Sequence, residues 1–393
     1  MFMYLQIFTN IIDIMHNETL LMMPGPVPMP ESVRNIMTKQ AINHRSNEFG
    51  ECYSDIVRSL KPIFGTNNDI LVLSGSGTAG QEAALGSFAQ GKKIVSLVNG
   101  KFGERLGQIS SIYGDSTTLI ESEWGHPLDL EKLKEAFENG AEVVTLVHNE
   151  TSAAILNPAA EVGKLARKYD ALFILDGITS IGGDVVESDK WGVDIAIVGS
   201  QKCLAAPSGL TAVSVSQRAW DRLSEKRPYY LDLKKAKKSA DNTPMETPFT
   251  PALPLFFALR EACRLIEVEG LENRIVRHRK MSAAVRAAGN AWGLSLVPQV
   301  DALHLPSNTV TGFFYPTGIE DSQVRGYCKK VMGIEFAGGQ DRFKGKIFRV
   351  GNMGIIDTPE ILATVSAIQV SLLNSKYPIL DDGIEAAAKV LSA

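Results

Sequence analysis

The chain has 393 residues, room for one large and one smaller domain, and its 45% hydrophobic and 21% charged residues are those of an ordinary globular protein. A formal net charge of −4 gives no electrostatic reason to expect nucleic acid or an anionic membrane as a partner. Cys52, Cys203, Cys263 and Cys328 are scattered, with no Cys-x-x-Cys and no histidine at metal spacing, which points to no metal and to a reduced, cytoplasmic protein.

Met1 to Met15 is apolar but lacks a basic n-region and a small-residue cleavage site, and Asp13 interrupts it, so neither a secretory signal nor a membrane span is expected. The stretch reads as an N-terminal extension over 1–21, either upstream of a working start at Met15 or packed on a partner subunit. From residue 51 helical and strand periods alternate. Helical spacing at Ile56, Leu60 and Phe64 ends at Gly65, and a strand over 70–73 leads into a helix over 78–89. Strands over 94–98, 143–147, 172–175 and 195–198 follow, with helices around 101–113, 129–139 and 158–169 between them. This alternation predicts an α/β fold, a doubly wound and mainly parallel sheet flanked by helices. Ligands of such sheets sit outside the carboxyl ends of the strands.

Between about 225 and 252 the pattern breaks into Lys234, Lys235, Lys237 and Lys238 and a proline-punctuated stretch from Thr243 to Pro251, which reads as a solvated loop. A long helical segment over 255–291, interrupted at Gly270, leads to a second α+β unit. That unit has strands at 310–315 and 346–350 and helices near 320–332 and 359–373. The expected division is a large domain over 22–268 and a small C-terminal domain over 269–393.

Gly75-Ser-Gly-Thr-Ala-Gly80 follows a strand and opens a helix. It matches the dinucleotide pattern, but the next strand ends in Asn99-Gly100, with no acid placed for a ribose. What remains is the ability of backbone N–H groups and a helix N-terminus to hold an anion, which suits a single phosphate. A nicotinamide enzyme and a plain tight turn stay as alternatives. Asp176 and Lys202 each follow a buried-strand run, Ala171–Leu175 and Asp194–Val198. Small and apolar neighbours around Lys202 favour its neutral amine. A lysine for a Schiff base and an acid for a ring nitrogen, both at strand ends, suit pyridoxal 5'-phosphate.

Ser200-Gln-Lys202 and Asp176-Gly-Ile-Thr-Ser-Ile-Gly-Gly183 resemble the class V, fold-type I pyridoxal-phosphate aminotransferases, especially the alanine–glyoxylate and serine–pyruvate branch. The likeness runs from about Met22 through Pro24-Gly-Pro, His44-Arg-Ser, Gly75-Ser-Gly-Thr, Asn99-Gly-Lys-Phe-Gly103, Glu150-Thr-Ser152, Thr250-Pro, Ser307 to Gly312 and Phe348-Arg-Val-Gly351.

The resemblance implies that Lys202 carries the cofactor and that Asp176 pairs with its ring nitrogen. Ser76, Gly77, Thr78 and Gln201 would contact the phosphate. Phe102 would stack on the ring, where the family often has tryptophan, and Ile178 would pack on it. Ser152 would meet the phenolic oxygen. Thr250 and Tyr230 would reach the phosphate of a neighbouring subunit, which makes the proline-rich loop part of a homodimer with shared active sites. Arg349 would hold the substrate carboxylate as a planar fork, with the backbone at Gly25 closing over it. Cys203 departs from the alanine usual beside the lysine and reads as packing.

The implied reaction is a ping-pong transfer of an amino group from alanine or serine to glyoxylate or pyruvate. Aspartate, phosphoserine and ureidoglycine transaminases are the neighbouring alternatives. A cysteine desulfurase would need Cys328 on a mobile loop. A nicotinamide-dependent oxidoreductase rests on the glycine motif alone, and a non-catalytic regulator would not need Lys202, Asp176 and Arg349 together. His44-Arg45 could bear on substrate choice from the entrance.

Overall fold

The computed structural model describes residues 19–393, so the expectations placed on Met1 to Met15 lie outside the described residues. Strand β1 (Leu20–Met22) opens the described chain and pairs in parallel with a strand of the second unit. Met22 is fully buried in the second unit's core, not in the large domain.

Strands β2 (Asp69–Ser74), β3 (Lys93–Val98), β4 (Ser116–Glu121) and β5 (Val143–Val147) are followed by the short hairpin β6 (Asn149–Glu150) and β7 (Ile155–Leu156). Then come β8 (Leu172–Asp176), β9 (Ile195–Gly199) and β10 (Leu210–Val215). Seven of these form one sheet in the order β2-β10-β9-β8-β5-β3-β4. Only β10 runs antiparallel to its neighbours. The central strands β5, β8 and β9 are buried along their whole length, because helices cover both faces of the sheet. Their continuous apolar runs make them readable.

Two strands escape that reading. β4 is a mostly exposed edge strand of sequence Ser-Thr-Thr-Leu-Ile-Glu. β10 mixes Leu, Thr, Ala, Val and Ser and returns antiparallel between β2 and β9. The lysine-rich segment is also corrected: Leu233–Ala240 is a helix, not a loop. The Asp232 side chain caps it by accepting from the backbone N–H groups of Lys234 and Lys235, and Leu233, Ala236 and Ala240 turn inward.

The second unit begins after Gly270, whose φ of 81° separates helix Leu253–Glu269 from helix Leu271–Trp292. Strand β11 (Leu305–Pro306) joins β7, while β12 (Val310–Phe314), β13 (Ile334–Gly338) and β14 (Ile347–Gly351) complete a four-stranded sheet of order β1-β13-β14-β12. A π-helical turn, Ser322–Gly326, precedes the short helix Tyr327–Met332. Helix Thr358–Asn374 starts with a capping box between Asp357 and Glu360. Each unit has its own apolar core, the smaller one centred on Trp292, Phe313, Phe336 and Phe348. Among the described residues no helix is long and apolar enough to cross a membrane.

Candidate active site

The sheet order brings the functional side chains together. β8 and β9 are adjacent and parallel, with Asp176 opposite Ile197, so Asp176 and the loop bearing Lys202 leave the same end of the sheet side by side. β2, β3 and β5 deliver Ser76, Phe102 and Asn149 to that end. A cavity of about 270 Å³ opens there, lined by Ser76, Gly77, Thr78, Phe102, Ile178 and Gln201 with Asp176 and Lys202. Every expected same-chain cofactor residue except Ser152 is in this lining.

Asp176 is 3% exposed. Burial pushes its carboxyl up to about 6, opposed by the donors at Ile178 and Gln81. Ile178 N–H reaches Oδ1 at 2.9 Å, and the Gln81 amide reaches Oδ2 at 2.5 Å. Burial lowers the Lys202 amine to about 8. Its Nζ donates to Pro24 O at 2.7 Å, far away in the sequence. Gly25 has φ of 108°, and a Cβ there would stand 2.3 Å from Lys202 Cδ and Nζ. Glycine is therefore required twice over, by backbone conformation and by contact. Gly77 is similarly close, with a Cβ position 2.4 Å from Ile178 Cδ1, which seats Ile178 against the start of helix Gly77–Phe88.

Ser152 faces elsewhere. Its hydroxyl donates to Glu150 at 2.5 Å and accepts from Lys101 N–H at 2.9 Å. The hydroxyl of that triplet that lines the cavity is Thr151. Glu150 itself is fully buried and accepts from Phe102 N–H, Gly103 N–H and Ser152 N–H. It thus pins the start of helix Lys101–Tyr113, which carries Phe102 and Arg105. Burial raises its carboxyl above the ordinary value.

Arg349 sits in mid-β14, 3% exposed and outside the cavity lining. Nη1 donates to Thr151 O at 2.8 Å, while Nε and Nη2 donate to Gly338 O at 3.1 and 2.7 Å. No carboxylate among the described residues pairs with it directly, and burial lowers it to about 10 although the Glu150 charge favours the cation. Thr250 is exposed and Tyr230 is 53% exposed, stacked on Phe249 with ring centroids 5.2 Å apart, away from this cavity. Arg45 pairs with Glu246 and donates to Thr247 O at 3.1 Å, so it anchors the proline-rich loop and not the cavity. Cys203 is buried beside Lys202, its thiol pushed up to about 12, and Cys328 is buried in the small core with a thiol equally raised. Neither is a poised nucleophile.

Gln81, Arg105, Asn149, Thr151 and Thr179 line the cavity without having been singled out in the sequence. Gln81 falls one turn after Thr78, and Arg105 one turn after Phe102 with its guanidinium 5.0 Å from that ring's centroid. Same-face spacing on a helix was the available signal. Buried Oε1 of Gln81, Oδ1 of Asn149 and Oε1 of Gln201 have no hydrogen-bond partner among the described residues. Together with a helix N-terminus flanked by hydroxyls, an aromatic face, a buried carboxylate and a lowered lysine, they fit pyridoxal phosphate.

Comparison with known proteins agrees. The family model described as aminotransferase class-V matches residues 32–342. An uncharacterized aminotransferase of Methanocaldococcus jannaschii is 40% identical, covering 95% of this chain and 98% of its own. A protein of a Synechococcus species named soluble hydrogenase, small subunit, is 37% identical, covering 96% and 100%. The serine–glyoxylate aminotransferase of Methylorubrum extorquens is 32% identical, covering 94% and 95%. The crystal structure of ureidoglycine–glyoxylate aminotransferase from Bacillus subtilis superposes with a TM-score of 0.88 at 30% identity, covering 95% and 98%. With the fold, the cavity and these matches in agreement, the chain belongs to the class V aminotransferases, pyridoxal-phosphate enzymes of fold type I.

Proposed function

We propose that this aminotransferase moves an amino group from a small amino acid, alanine or serine, to glyoxylate or pyruvate in two half-reactions. The observation that carries the reading is Arg349, a buried guanidinium held, among the described residues, by backbone carbonyls alone. A buried cation without a carboxylate partner is costly unless a ligand supplies one. Its hydrogen bond to Thr151 O ties it to the loop that lines the cavity, next to where Lys202 acts. The glyoxylate-using relatives support the acceptor.

Pyridoxal phosphate, when bound, supplies an aldehyde for the substrate amine and a protonated ring that takes up the electron pair of the breaking Cα–H bond. The chain's residues do the rest. Arg349 fixes the substrate carboxylate. Lys202, with its lowered affinity for protons, is placed to take the Cα proton and would deliver it to the cofactor's aldehyde carbon, across the nitrogen from Cα. Asp176 presents a buried carboxylate for the ring nitrogen. The Pro24–Gly25 backbone closes over Lys202 and leaves space for a short side chain.

The proposal includes the remaining site roles. Ser76, Gly77, Thr78 and Gln201 hold the phosphate, and Phe102 and Ile178 sandwich the ring. Thr250 and Tyr230 complete the site of a second copy in a homodimer, and the two domains meet near residue 268. A cytoplasmic location fits the four unpaired, buried cysteines. A panel of amino donors against glyoxylate and pyruvate tests the reading. Alanine and serine should show the highest kcat/KM. Aspartate or ureidoglycine exceeding both by about tenfold would move the enzyme to another branch.

A further inference from the structure

Helix Gly77–Phe88 carries an amide to the buried acid of the site. Gln81 is 1% exposed, its Nε2 donates to Asp176 Oδ2 at 2.5 Å, and its Oε1 is buried without a partner among the described residues. Asp176 Oδ1 is separately engaged by Ile178 N–H at 2.9 Å. Each carboxylate oxygen thus receives one donor and keeps lone pairs for another.

We propose that Gln81 is a positioning residue for transamination: it holds Asp176 as an anion whose remaining acceptor capacity is offered to the cofactor's ring nitrogen. The inference rests on the aminotransferase reading above. An amide in this orientation presents only hydrogens, so it stabilises the ionised carboxylate more than the protonated acid. A neutral Asp176 would keep its own proton and leave the ring nitrogen bare, and the ring would lose its power to hold electrons.

The other groups acting on Asp176 are few. Arg105 from the neighbouring helix and Lys202 beyond β9 favour the anion, whereas Glu150 on β6 interacts with Asp176 as a like charge. Burial works against the anion. Gln81 and Ile178 N–H are the only donors in direct hydrogen bonds to the carboxylate among the described residues, and of the two only Gln81 donates from its side chain.

The test uses holoenzyme loaded with pyridoxal phosphate labelled with ¹⁵N at the ring nitrogen. Its chemical shift reports protonation directly, and packing alone does not move it. Gln81→Met keeps the side chain's length and removes the donor. It should shift the ring nitrogen toward the unprotonated form and lower kcat about tenfold, the loss of one hydrogen bond to a charge, with KM for donor and acceptor unchanged. Gln81→Leu also removes the donor, with a branched apolar side chain, and should shift the ring nitrogen the same way. If the methionine variant does not fold, the leucine variant alone decides. Variants that keep a protonated ring nitrogen, whether or not cofactor affinity falls, overturn the proposal and leave Gln81 a packing residue. Wild-type protein that takes up no pyridoxal phosphate and transaminates no donor fails the reading beneath it, and the proposal with it.

Discussion

Gly25 lies against Lys202 so closely that its missing side chain is part of the site: a Cβ there would stand 2.3 Å from Nζ. Pro24 O, one residue earlier, accepts the hydrogen bond from that amine at 2.7 Å. Gly25→Ala should therefore displace Lys202 and strain the φ of 108° together. A displacement of about 1 Å at reacting atoms costs roughly 100-fold, so kcat should fall by about that factor while the protein remains folded. Steady-state kinetics and circular dichroism check this. A variant with kcat near wild type would show that the lysine does not work in this position.

Arg349 offers a fork, and two of its three donor nitrogens already use Gly338 O. Arg349→Lys keeps a charge but not a planar pair of donors for a carboxylate. KM for the amino donor and for the 2-oxo acid should both rise, with kcat/KM down about 100-fold, the scale of a lost charge-assisted pair. A change confined to kcat would assign Arg349 to something other than carboxylate binding.

The strand ends that hold Asp176 and Lys202 were legible because β8 and β9 are central, buried on both faces and therefore written in unbroken apolar residues. Edge strand β4 is exposed and polar, so its residues carry no such mark. The site divides on the same physics. Ser76 and Thr78 open a helix after a strand, a local pattern. Which hydroxyl of Thr151 and Ser152 faces the cavity depends on the buried acid Glu150 capturing Ser152, a contact settled only by folding. Gln81 looks like any polar residue in a helix until β8 places Asp176 beside it. Leu20–Met22 is too short to announce a strand, and its partner lies more than three hundred residues away at Ile334–Phe336.

Glu150 should matter for stability more than for chemistry. Its carboxylate accepts three backbone N–H groups, from Phe102, Gly103 and Ser152. Glu150→Ala leaves these buried donors unmet, at about 1–3 kcal/mol each where water cannot replace the acceptor. Urea unfolding should show a loss of at least about 3 kcal/mol. A loss under about 1 kcal/mol would mean that the start of helix Lys101–Tyr113 is held by other contacts.

Asp176 makes the protein without cofactor less stable than it could be. Its carboxyl is raised by burial to about 6 from an ordinary 3.8, so the folded chain binds this proton more tightly than the unfolded one. Stability from this group is full below about 4, declines as pH rises through 6, and stays low above. Asp176→Asn removes the buried charge, and a flipped Gln81 can accept from the new amide. The cofactor-free variant should gain about 1–3 kcal/mol over wild type at pH 8, and the gain should vanish near pH 4. Denaturation at the two pH values checks it. An equal loss at both would mean that the carboxylate contacts outweigh the burial of its charge.

Lys202 sets the pH at which the cofactor is taken up. Burial lowers its amine from an ordinary 10.5 to about 8, so the neutral, nucleophilic form becomes the majority above that pH. With cofactor in excess, the rate at which cofactor-free protein acquires the visible chromophore should climb about tenfold from pH 7 to pH 9 and flatten above that. An unshifted lysine would keep accelerating past pH 10. Lys202→Ala should develop no borohydride-reducible chromophore at any pH. A rate that still rises steeply at pH 10 would show that the amine is solvated, and that the contact with Pro24 O does not shield it.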